Sequence, residues 1–200
     1  KSLVTWWEDQ LPLMAAGVTV NTRFLQQRNE RLGVVAERIR YVPNGVAVAV
    51  ASGRRTGASG ALAEARLRTA LGLGAAPVVI YVGTLSKIAH GVDLLIEAFA
   101  RVLAKPAISR ARLLMVGDGD DKAALMAQAQ ALGIASAIIW TGNLPAETVR
   151  DYWAVARCSV DPVHDTPSAR GRSPLKIVES LAAGVPGVTG DVGDRREMIG

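Results

Sequence analysis

The segment Ser173-Pro174-Leu175-Lys176, followed by Glu179, combines residue types that can bind a phosphorylated ligand. Ser and Pro are typical of a helix start, where Ser caps free amides and Pro loses no hydrogen bond. A helix amino terminus offers N–H groups and partial positive charge to a phosphate. Lys176 opposes that helix dipole, so a nearby anion is expected. The segment predicts a phosphate site, with an exposed surface pair of Lys176 and Glu179 as the alternative.

The turn that begins at Gly83 gives a second candidate site for phosphate. It contains Gly83, Thr84, Lys87 and His90 and connects a strand-like run to a helix-like run. Glycine amides and cationic side chains in such a turn can surround a phosphate. An ordinary polar connection between a strand and a helix is the alternative interpretation.

Three other features carry weaker signals. The segment Gly117-Asp118-Gly119-Asp120-Asp121 lacks the full G-x-G-x-x-G spacing, and we expect its carboxylates to cap the next helix rather than to bind a metal or a dinucleotide. His164 and Asp165 have the types of an acid–base pair, but a surface-loop histidine is the favoured interpretation. Cys158 is expected to be a buried, inert thiol.

Alternating strand-like and helix-like runs must position these residues. Five short runs rich in Val and Ile predict strands at 78–82, 112–116, 137–140, 158–161 and 187–189. Apolar residues at three- and four-residue spacing predict helices at 92–104, 121–132, 146–156 and 174–183. This alternation predicts an α/β fold with a doubly wound, Rossmann-like parallel sheet, whose ligands bind at the carboxyl ends of the strands.

The chain divides into three segments by pattern. The pattern of residues 1–46 predicts helix 3–14, strand 18–20, helix 23–32 and strand 39–42. Residues 47–75 are expected to form a linker and a lead-in helix, with an exposed, mobile connection at 51–60. Residues 76–200 are expected to form the sheet domain. The chain starts without Met and stops after a strand and the start of a helix. We therefore expect a fragment whose last domain is truncated at its carboxyl end.

Composition gives broad limits on the class of protein. Half of the 200 residues are apolar and the formal net charge is +5. Without an apolar run of roughly 18–20 residues or a secretory signal pattern, a soluble, cytoplasmic protein is expected. The charge favours an anionic partner, although a basic, solvated surface is the alternative. Scattered cations and few aromatic residues make nucleic acid the weaker expectation.

Several motifs occur in an order that resembles a known family. They are Arg38-Ile39-Arg40-Tyr41-Val42-Pro43-Asn44-Gly45-Val46, Val82-Gly83-Thr84-Leu85 with Gly91 to Phe99, Leu114-Met115-Val116-Gly117-Asp118-Gly119, Thr141-Gly142-Asn143-Leu144 with Tyr152-Trp153, and the stretch from Ser173 to Pro186. From about Val18 onward the chain resembles glycosyltransferase family 4 of the GT-B architecture, in a variant with Ser-Pro-Leu-Lys. The resemblance implies that residues 1–46 end an acceptor domain and that residues 76–200 are the donor-binding domain, the C-terminal half of a GT-B fold.

The resemblance also implies roles for individual residues. The closing motif of the family carries two Glu residues eight positions apart, and the second binds the ribose; Glu179 stands at that second position and Gly171 at the first. Thr84 and His90 stand where the family has Arg and Lys for the diphosphate. The implied donor-binding residues are Glu179, Lys176, Ser173, Leu175, Gly83, Thr84, Lys87, His90, Gly142 and Asn143, with the last two near the base.

The implied reaction transfers a sugar, with retention, from a UDP- or GDP-type sugar to an acceptor hydroxyl, without an essential metal or other cofactor. The acceptor would be a glycan or a lipid-linked sugar, bound in the cytoplasm at the inner face of the membrane.

Two alternatives stay open: a non-catalytic fragment that binds nucleotide sugar, and a nucleotide-sugar epimerase that would use His164 and Asp165. The isolated chain is expected to bind donor and to transfer poorly.

Overall fold

A computed structural model describes residues 2–46 and 58–200 of the chain. The strands are β1 (Val18–Val20), β2 (Ile39–Tyr41), β3 (Val78–Val82), β4 (Arg112–Val116), β5 (Ile138–Gly142), β6 (Cys158–Asp161) and β7 (Gly187–Thr189). The helices are α1 (Leu3–Met14), α2 (Arg23–Leu32), α3 (Ala58–Ala70), α4 (Lys87–His90), α5 (Val92–Leu103), α6 (Lys122–Ala131), α7 (Ala146–Ala154), α8 (Pro167–Arg170), α9 (Leu175–Ala182) and α10 (Arg195–Ile199).

The main sheet has five parallel strands in the order β5-β4-β3-β6-β7. The chain moves outward from β3 to β4 and β5, and then returns to the other side of β3 at β6. The order therefore reverses between β3 and β6. Open α/β sheets bind ligands at the carboxyl ends of the strands where this reversal occurs, because the loops there diverge and leave a crevice.

Apolar cores cover both faces of this sheet, which confirms the predicted doubly wound α/β class. One core packs α5 and α6 on the sheet around Tyr81, Ile96, Phe99 and Met115. The other core joins α7 and the end of α9 to Ile80 and Leu114. Neighbouring residues on one strand therefore point into opposite cores, which explains why the strand sequences are continuously apolar.

The first 46 residues form a small unit with its own core. Strands β1 and β2 pair in parallel, and Val20, Val34 and Ile39 are buried between them and α2. Hydrogen bonds join this unit to the main sheet domain: the Arg23 amide donates to Asp194 at 2.6 Å, Asn44 Nδ2 donates to the carbonyl of Ser173 at 2.8 Å, and the Thr22 hydroxyl donates to the carbonyl of Gly171 at 3.5 Å. Among the described helices, none is long and apolar enough to cross a membrane.

The predicted elements are present, with several shifted ends. Predicted strand 137–140 is found at Ile138–Gly142, and predicted helix 146–156 ends at Ala154. The predicted connection 51–60 lies mostly outside the described residues, and its last three residues belong to α3. The four-residue helices α4 and α8 were not predicted. Both start with a side-chain cap, from Ser86 and Thr166, and are too short to show an apolar period.

Candidate functional site

A cleft of about 480 Å³ lies at the carboxyl ends of β3 and β6, where the strand order reverses. The loop after β3 forms one wall, and the long loop after β6 with the start of α9 forms the other. Seven of the predicted residues line it: Glu179, Lys176, Ser173, Leu175, Gly83, Thr84 and His90. Within the described chain, Lys87, Gly142 and Asn143 are not among its lining residues. We call this space the switch-point cleft.

Helix α9 starts differently from the prediction. Pro174 occupies the capping position, and no side chain caps the first turn. The proposed Ser173 cap is therefore wrong: Ser173 lies one residue further out, and its carbonyl accepts a hydrogen bond from Asn44. The first-turn amides of α9 have no side-chain acceptor, and that of Ile177 donates to the carbonyl of Pro174 at 3.2 Å. The amides of Leu175 and Lys176 are the ones from which an anion would accept.

Lys176 extends along the wall of the cleft rather than into solvent. Its ammonium lies 3.3 Å from Asp161 Oδ1 and 4.5 Å from the centre of the Tyr81 ring, and its side chain is 13% exposed. The alternative interpretation, an exposed surface pair with Glu179, is therefore wrong, because Lys176 packs against Asp161 and the Tyr81 ring. Burial lowers the pKa of Lys176, and the Asp161 carboxylate opposes that shift by favouring the charged form.

Asp161 and Arg195 form a buried ion pair beneath Lys176. Arg195 Nε donates to Asp161 Oδ2 at 2.8 Å, and the two side chains are 3% and 4% exposed. Sequence reasoning missed both residues. The available signal was a carboxylate at the end of a predicted strand, which in a doubly wound sheet lies at the ligand-binding edge.

Arg172 and His90 meet across the cleft. Arg172 Nη1 lies 3.2 Å from His90 Nδ1. Because a guanidinium only donates, His90 accepts through Nδ1 and is the neutral tautomer with its proton on Nε2. Burial, followed by the charges of Lys176 and Arg172, lowers the pKa of His90 to about 4. His90 is therefore not the cation that was predicted at this position; Arg172, which the sequence analysis did not select, supplies the charge.

The turn after β3 is held in place by close backbone packing. Gly83 has a φ of +145°, and the Tyr81 hydroxyl donates to the carbonyl of Thr84 at 2.7 Å. Gly117, with a φ of +138°, lies so close that a Cβ on it would overlap the carbonyl oxygen of Gly83. The Gly117 amide in turn donates to the Gly142 carbonyl at 2.9 Å. Gly142 thus supports the turn from behind, while Asn143 is exposed.

A family model described as "Glycosyl transferases group 1" matches residues 76–200. The chain belongs to this family. A GDP-mannose-dependent α-(1-6)-phosphatidylinositol monomannoside mannosyltransferase of Mycolicibacterium smegmatis is 32% identical over 139 residues, 68% of this chain and 36% of the relative. A D-inositol 3-phosphate glycosyltransferase of Acidothermus cellulolyticus is 32% identical over 168 residues, 80% of this chain and 35% of the relative. The chain spans about a third of the length of these curated relatives.

Solved structures share the fold of this group 1 chain. HepE of Anabaena, in complex with UDP and glucose, superposes with a TM-score of 0.72 and 23% identity over 92% of this chain and 46% of that one. Sucrose-phosphate synthase of Thermosynechococcus elongatus gives a TM-score of 0.72 and 23% identity over 95% of this chain and 44% of that one. These likenesses confirm the predicted Rossmann-like half of a GT-B fold.

Gly171 lines the switch-point cleft, but it has no side chain that could enter the cleft. Its φ of −79° suits any residue, and an added Cβ would make an ordinary contact with Leu25 at 3.5 Å. The local backbone therefore does not require glycine. The carboxylate that the family resemblance places here is absent for a reason other than local sterics.

Two predicted carboxylate roles in the group 1 chain are wrong. Asp121 does not cap α6; its carboxylate accepts from the amide of Lys87 at 2.8 Å and so caps α4. Asp118 accepts from the Gly119 amide and pairs with Lys122 at 3.0 Å. The carboxylates are drawn to these partners because the loops after β3 and β4 lie side by side, which the sequence does not show.

The acid–base pair of His164 and Asp165 does not form either. His164 Nε2 lies 3.3 Å from Asp93 Oδ1, and Asp165 makes a two-point ion pair with Arg170. Both side chains are substantially exposed, which agrees with the favoured interpretation of a surface-loop histidine.

The remaining candidates for reactive or metal chemistry are few. Cys158 is half-buried, and burial raises the pKa of its thiol, which agrees with an inert residue. Across residues 2–46 and 58–200, no group of three or more His, Cys, Asp or Glu side chains is placed to hold a metal ion.

Proposed function

We propose that the chain is the donor-binding part of a retaining family 4 glycosyltransferase of the Ser-Pro-Leu-Lys variant. The complete enzyme transfers a sugar from a nucleotide-diphosphate sugar to an acceptor hydroxyl. Membership of the group 1 family supports the reaction class. The place of the cleft, at the reversal of strand order, supports nucleotide binding there.

The observation that carries this proposal is an excess of positive charge in the cleft, on side chains that are partly or fully buried. Lys176, Arg172 and Arg195 line it together, Asp161 pairs with two of them, and His90 beside Arg172 is neutral. Three cations against the two carboxylates of Asp161 and Glu179 leave one positive charge unmatched in the cleft, which favours an anionic ligand because burial makes uncompensated charge expensive. A diphosphate bound against Lys176, Arg172 and the free amides of α9 would supply the missing negative charge.

Other residues are assigned to the remaining parts of the donor by their position relative to this cluster of cations. Glu179 lies one turn after Lys176 on α9 and also lines the cleft, which suits a bond to the ribose hydroxyls. Gly142 and Asn143 remain candidates for the base, and Lys87 for a peripheral phosphate contact. Transition-state stabilisation of the leaving diphosphate by these cations requires no essential metal. The mannosyltransferase relative names GDP-mannose and the HepE structure holds UDP, so both bases belong in any test.

The names of the relatives suggest an acceptor and a cellular location for the complete enzyme. The names of both curated relatives contain an inositol compound, one of them a phosphatidylinositol glycolipid. We propose a glycan or lipid-linked sugar as the acceptor and the cytoplasmic face of the membrane as its place.

A panel of ligands tests the proposed function directly. Thermal shift of the purified chain with UDP, GDP, their sugars, the nucleosides and ATP should show stabilisation by one nucleoside diphosphate and its sugars. A ligand at roughly 100 times its Kd adds about 2.7 kcal/mol to the free energy of unfolding. The same shift with the nucleoside as with its diphosphate, or no shift with any member, would argue against a diphosphate site.

Glu179→Gln tests recognition of the ribose separately from recognition of the phosphates. We expect this change to weaken binding of the preferred nucleoside diphosphate by about 1.5–3 kcal/mol, because a charged acceptor for two hydroxyls becomes neutral. Binding of its 2′,3′-dideoxy analogue should be unchanged, since that ligand lacks the hydroxyls. Calorimetry with both ligands measures the difference. Equal losses of binding free energy for the two ligands would show that Glu179 does not contact the ribose hydroxyls.

Nucleotide-sugar binding without transfer is the second candidate function. It is favoured by Gly171, which leaves no carboxylate at the sugar end of the cleft, and by Thr84 in place of a cation. Donor hydrolysis or sugar transfer detected with the chain would exclude it. The epimerase alternative is disfavoured, because His164 and Asp165 are engaged with other residues outside the cleft.

A further inference from the structure

The carboxylate of Asp161 contacts residues from three separate elements. It is the last residue of β6 and is 4% exposed. One oxygen faces Lys176 of α9 at 3.3 Å, and the other accepts from Arg195 of α10 at 2.8 Å. The hydroxyl of Thr189 of β7 is shared between the Asp161 carbonyl at 3.0 Å and this second carboxylate oxygen at 3.3 Å. Since each partner lies on a different element, the carboxylate fixes their relative positions.

We propose that Asp161 is a positioning residue for the diphosphate site, acting through Lys176 and through Arg195. The inference rests on the proposed function, which assigns the diphosphate to Lys176 and Arg172. Lys176 is held by Asp161 directly. Arg172 is held through the short helix α8 that precedes it, because Arg195 Nη1 donates to the carbonyl of Ala169 in that helix at 3.0 Å.

The conformation of Lys176 is the structural reason for this assignment. A lysine side chain is long and flexible, and its ammonium is strongly hydrated, so it usually extends to bulk water. Here the ammonium stays at the cleft wall, over the Tyr81 ring and within 3.5 Å of the Tyr81 hydroxyl. Asp161 is the carboxylate that pairs with it there. Without that carboxylate, the ammonium would gain hydration by leaving the wall.

Positioning and simple charge predict opposite outcomes for Asp161→Asn. The change removes a negative charge close to the bound anion, so a role through charge alone would tighten anion binding. Loss of positioning would weaken it. The sign of the change in Kd therefore distinguishes the two roles.

The pH dependence of binding gives a second readout. The charged and titratable groups around Lys176 are Asp161, Arg195, Arg172, Tyr81 and His90. Burial and both guanidiniums lower the pKa of Lys176, and Asp161 alone among the causes opposes them. Asp161→Asn should lower that pKa further. Because the anion needs the ammonium form, binding to the variant should be lost at a lower pH than binding to the wild type as the pH rises.

Calorimetry with inorganic pyrophosphate on the full chain tests the proposal, because this probe needs neither a base nor a ribose. The variants are Asp161→Asn, Lys176→Met and the double variant, compared from about pH 6 to about pH 9. We expect Asp161→Asn to raise the Kd roughly tenfold near neutral pH, and more at the alkaline end, as for loss of a charge-assisted contact. In the Lys176→Met background the same change should have a much smaller effect, because effects that act through one residue are not additive.

Asp191→Asn is the matched control. It makes the same substitution at an exposed aspartate that pairs with Arg196, so its Kd and pH profile should match the wild type. Tighter or unchanged pyrophosphate binding by Asp161→Asn, or full additivity with Lys176→Met, overturns the positioning role while leaving the diphosphate site intact. Wild-type chain that binds pyrophosphate no better than Lys176→Met overturns the diphosphate site and this inference together.

Thr189→Val provides a milder test if circular dichroism shows that Asp161→Asn does not fold. It removes the hydroxyl that donates to the carbonyl and the carboxylate of Asp161, and it leaves every charge in place. We expect a rise in Kd of about threefold, as for a weak neutral hydrogen bond, and no change in the Lys176→Met background. An unchanged Kd in the wild-type background would overturn the proposal.

Discussion

We expect Lys176→Met to raise the Kd of the chain for its nucleoside diphosphate by roughly 10- to 100-fold while leaving the Kd for the nucleoside almost unchanged. A charge-assisted contact from a buried ammonium contributes about 1.5–3 kcal/mol, which corresponds to that range. Methionine keeps the apolar stem that packs on Tyr81, so the change removes mainly the charge. Calorimetry with UDP, GDP and the two nucleosides measures both constants.

Lys105→Met is the matched control for this change. Lys105 is exposed and lies just before the short 3-10 helix Pro106–Ile108, so its loss lowers the net charge by the same amount without touching the cleft. Its effect on either Kd should be small. Lys87→Met should also have a smaller effect than Lys176→Met, because Lys87 does not line the cleft. Equal losses for nucleoside and nucleoside diphosphate in Lys176→Met would show that the lysine does not contact the phosphates.

Gly117→Ala should lower the free energy of unfolding by at least about 2 kcal/mol and abolish nucleotide binding. The φ of +138° is one that L side chains rarely adopt, which costs about 1–3 kcal/mol. The new Cβ would also overlap the Gly83 carbonyl oxygen, and forced overlap in a packed region costs roughly as much again. Relief of the overlap must move Gly83, which lines the cleft. Urea unfolding and calorimetry with the preferred nucleotide report the two effects.

Gly133→Ala separates backbone strain from overlap. Gly133 has a φ of +70° at the end of α6, and a Cβ there would meet no atom within 4 Å. We expect this control to cost about 1 kcal/mol and to leave nucleotide binding intact. If Gly117→Ala destabilises the chain no more than Gly133→Ala and still binds nucleotide, the packing of Gly117 on the turn after β3 is not important for the cleft.

The sequence predicted most of the fold, because the strong signals were local. Continuous apolar runs such as Val78–Val82 identify strands that are buried on both faces, and the apolar period of Val92–Leu103 identifies a helix between them. The short helices α4 and α8 were not predicted, since four residues carry no apolar period. The start of α4 also depends on Asp121, thirty-four residues from Lys87. The ends of α9 were predicted nearly correctly although its cap was not.

The candidate site was predicted in its location but not in its pairings. Parallel strands separated by helices place their carboxyl ends at one edge, and this rule alone predicts that Gly83 and Lys176 lie close together. Partner choice is different, because it depends on which loops lie side by side. Lys176 pairs with Asp161 rather than Glu179, and His90 accepts from Arg172 rather than carrying charge itself.

The sequence by itself determined that the chain forms a doubly wound parallel sheet with a phosphate-compatible turn and helix start at one edge. Apolar pattern and glycine positions suffice for that, because they act over a few residues at a time. Only the tertiary structure decided where the Lys176 ammonium lies in the segment from Ser173 to Glu179, and which charged groups surround it. Burial, and the position of Asp161 and Arg195 beneath it, turn Lys176 toward the cleft, and those contacts join residues that lie far apart in the chain.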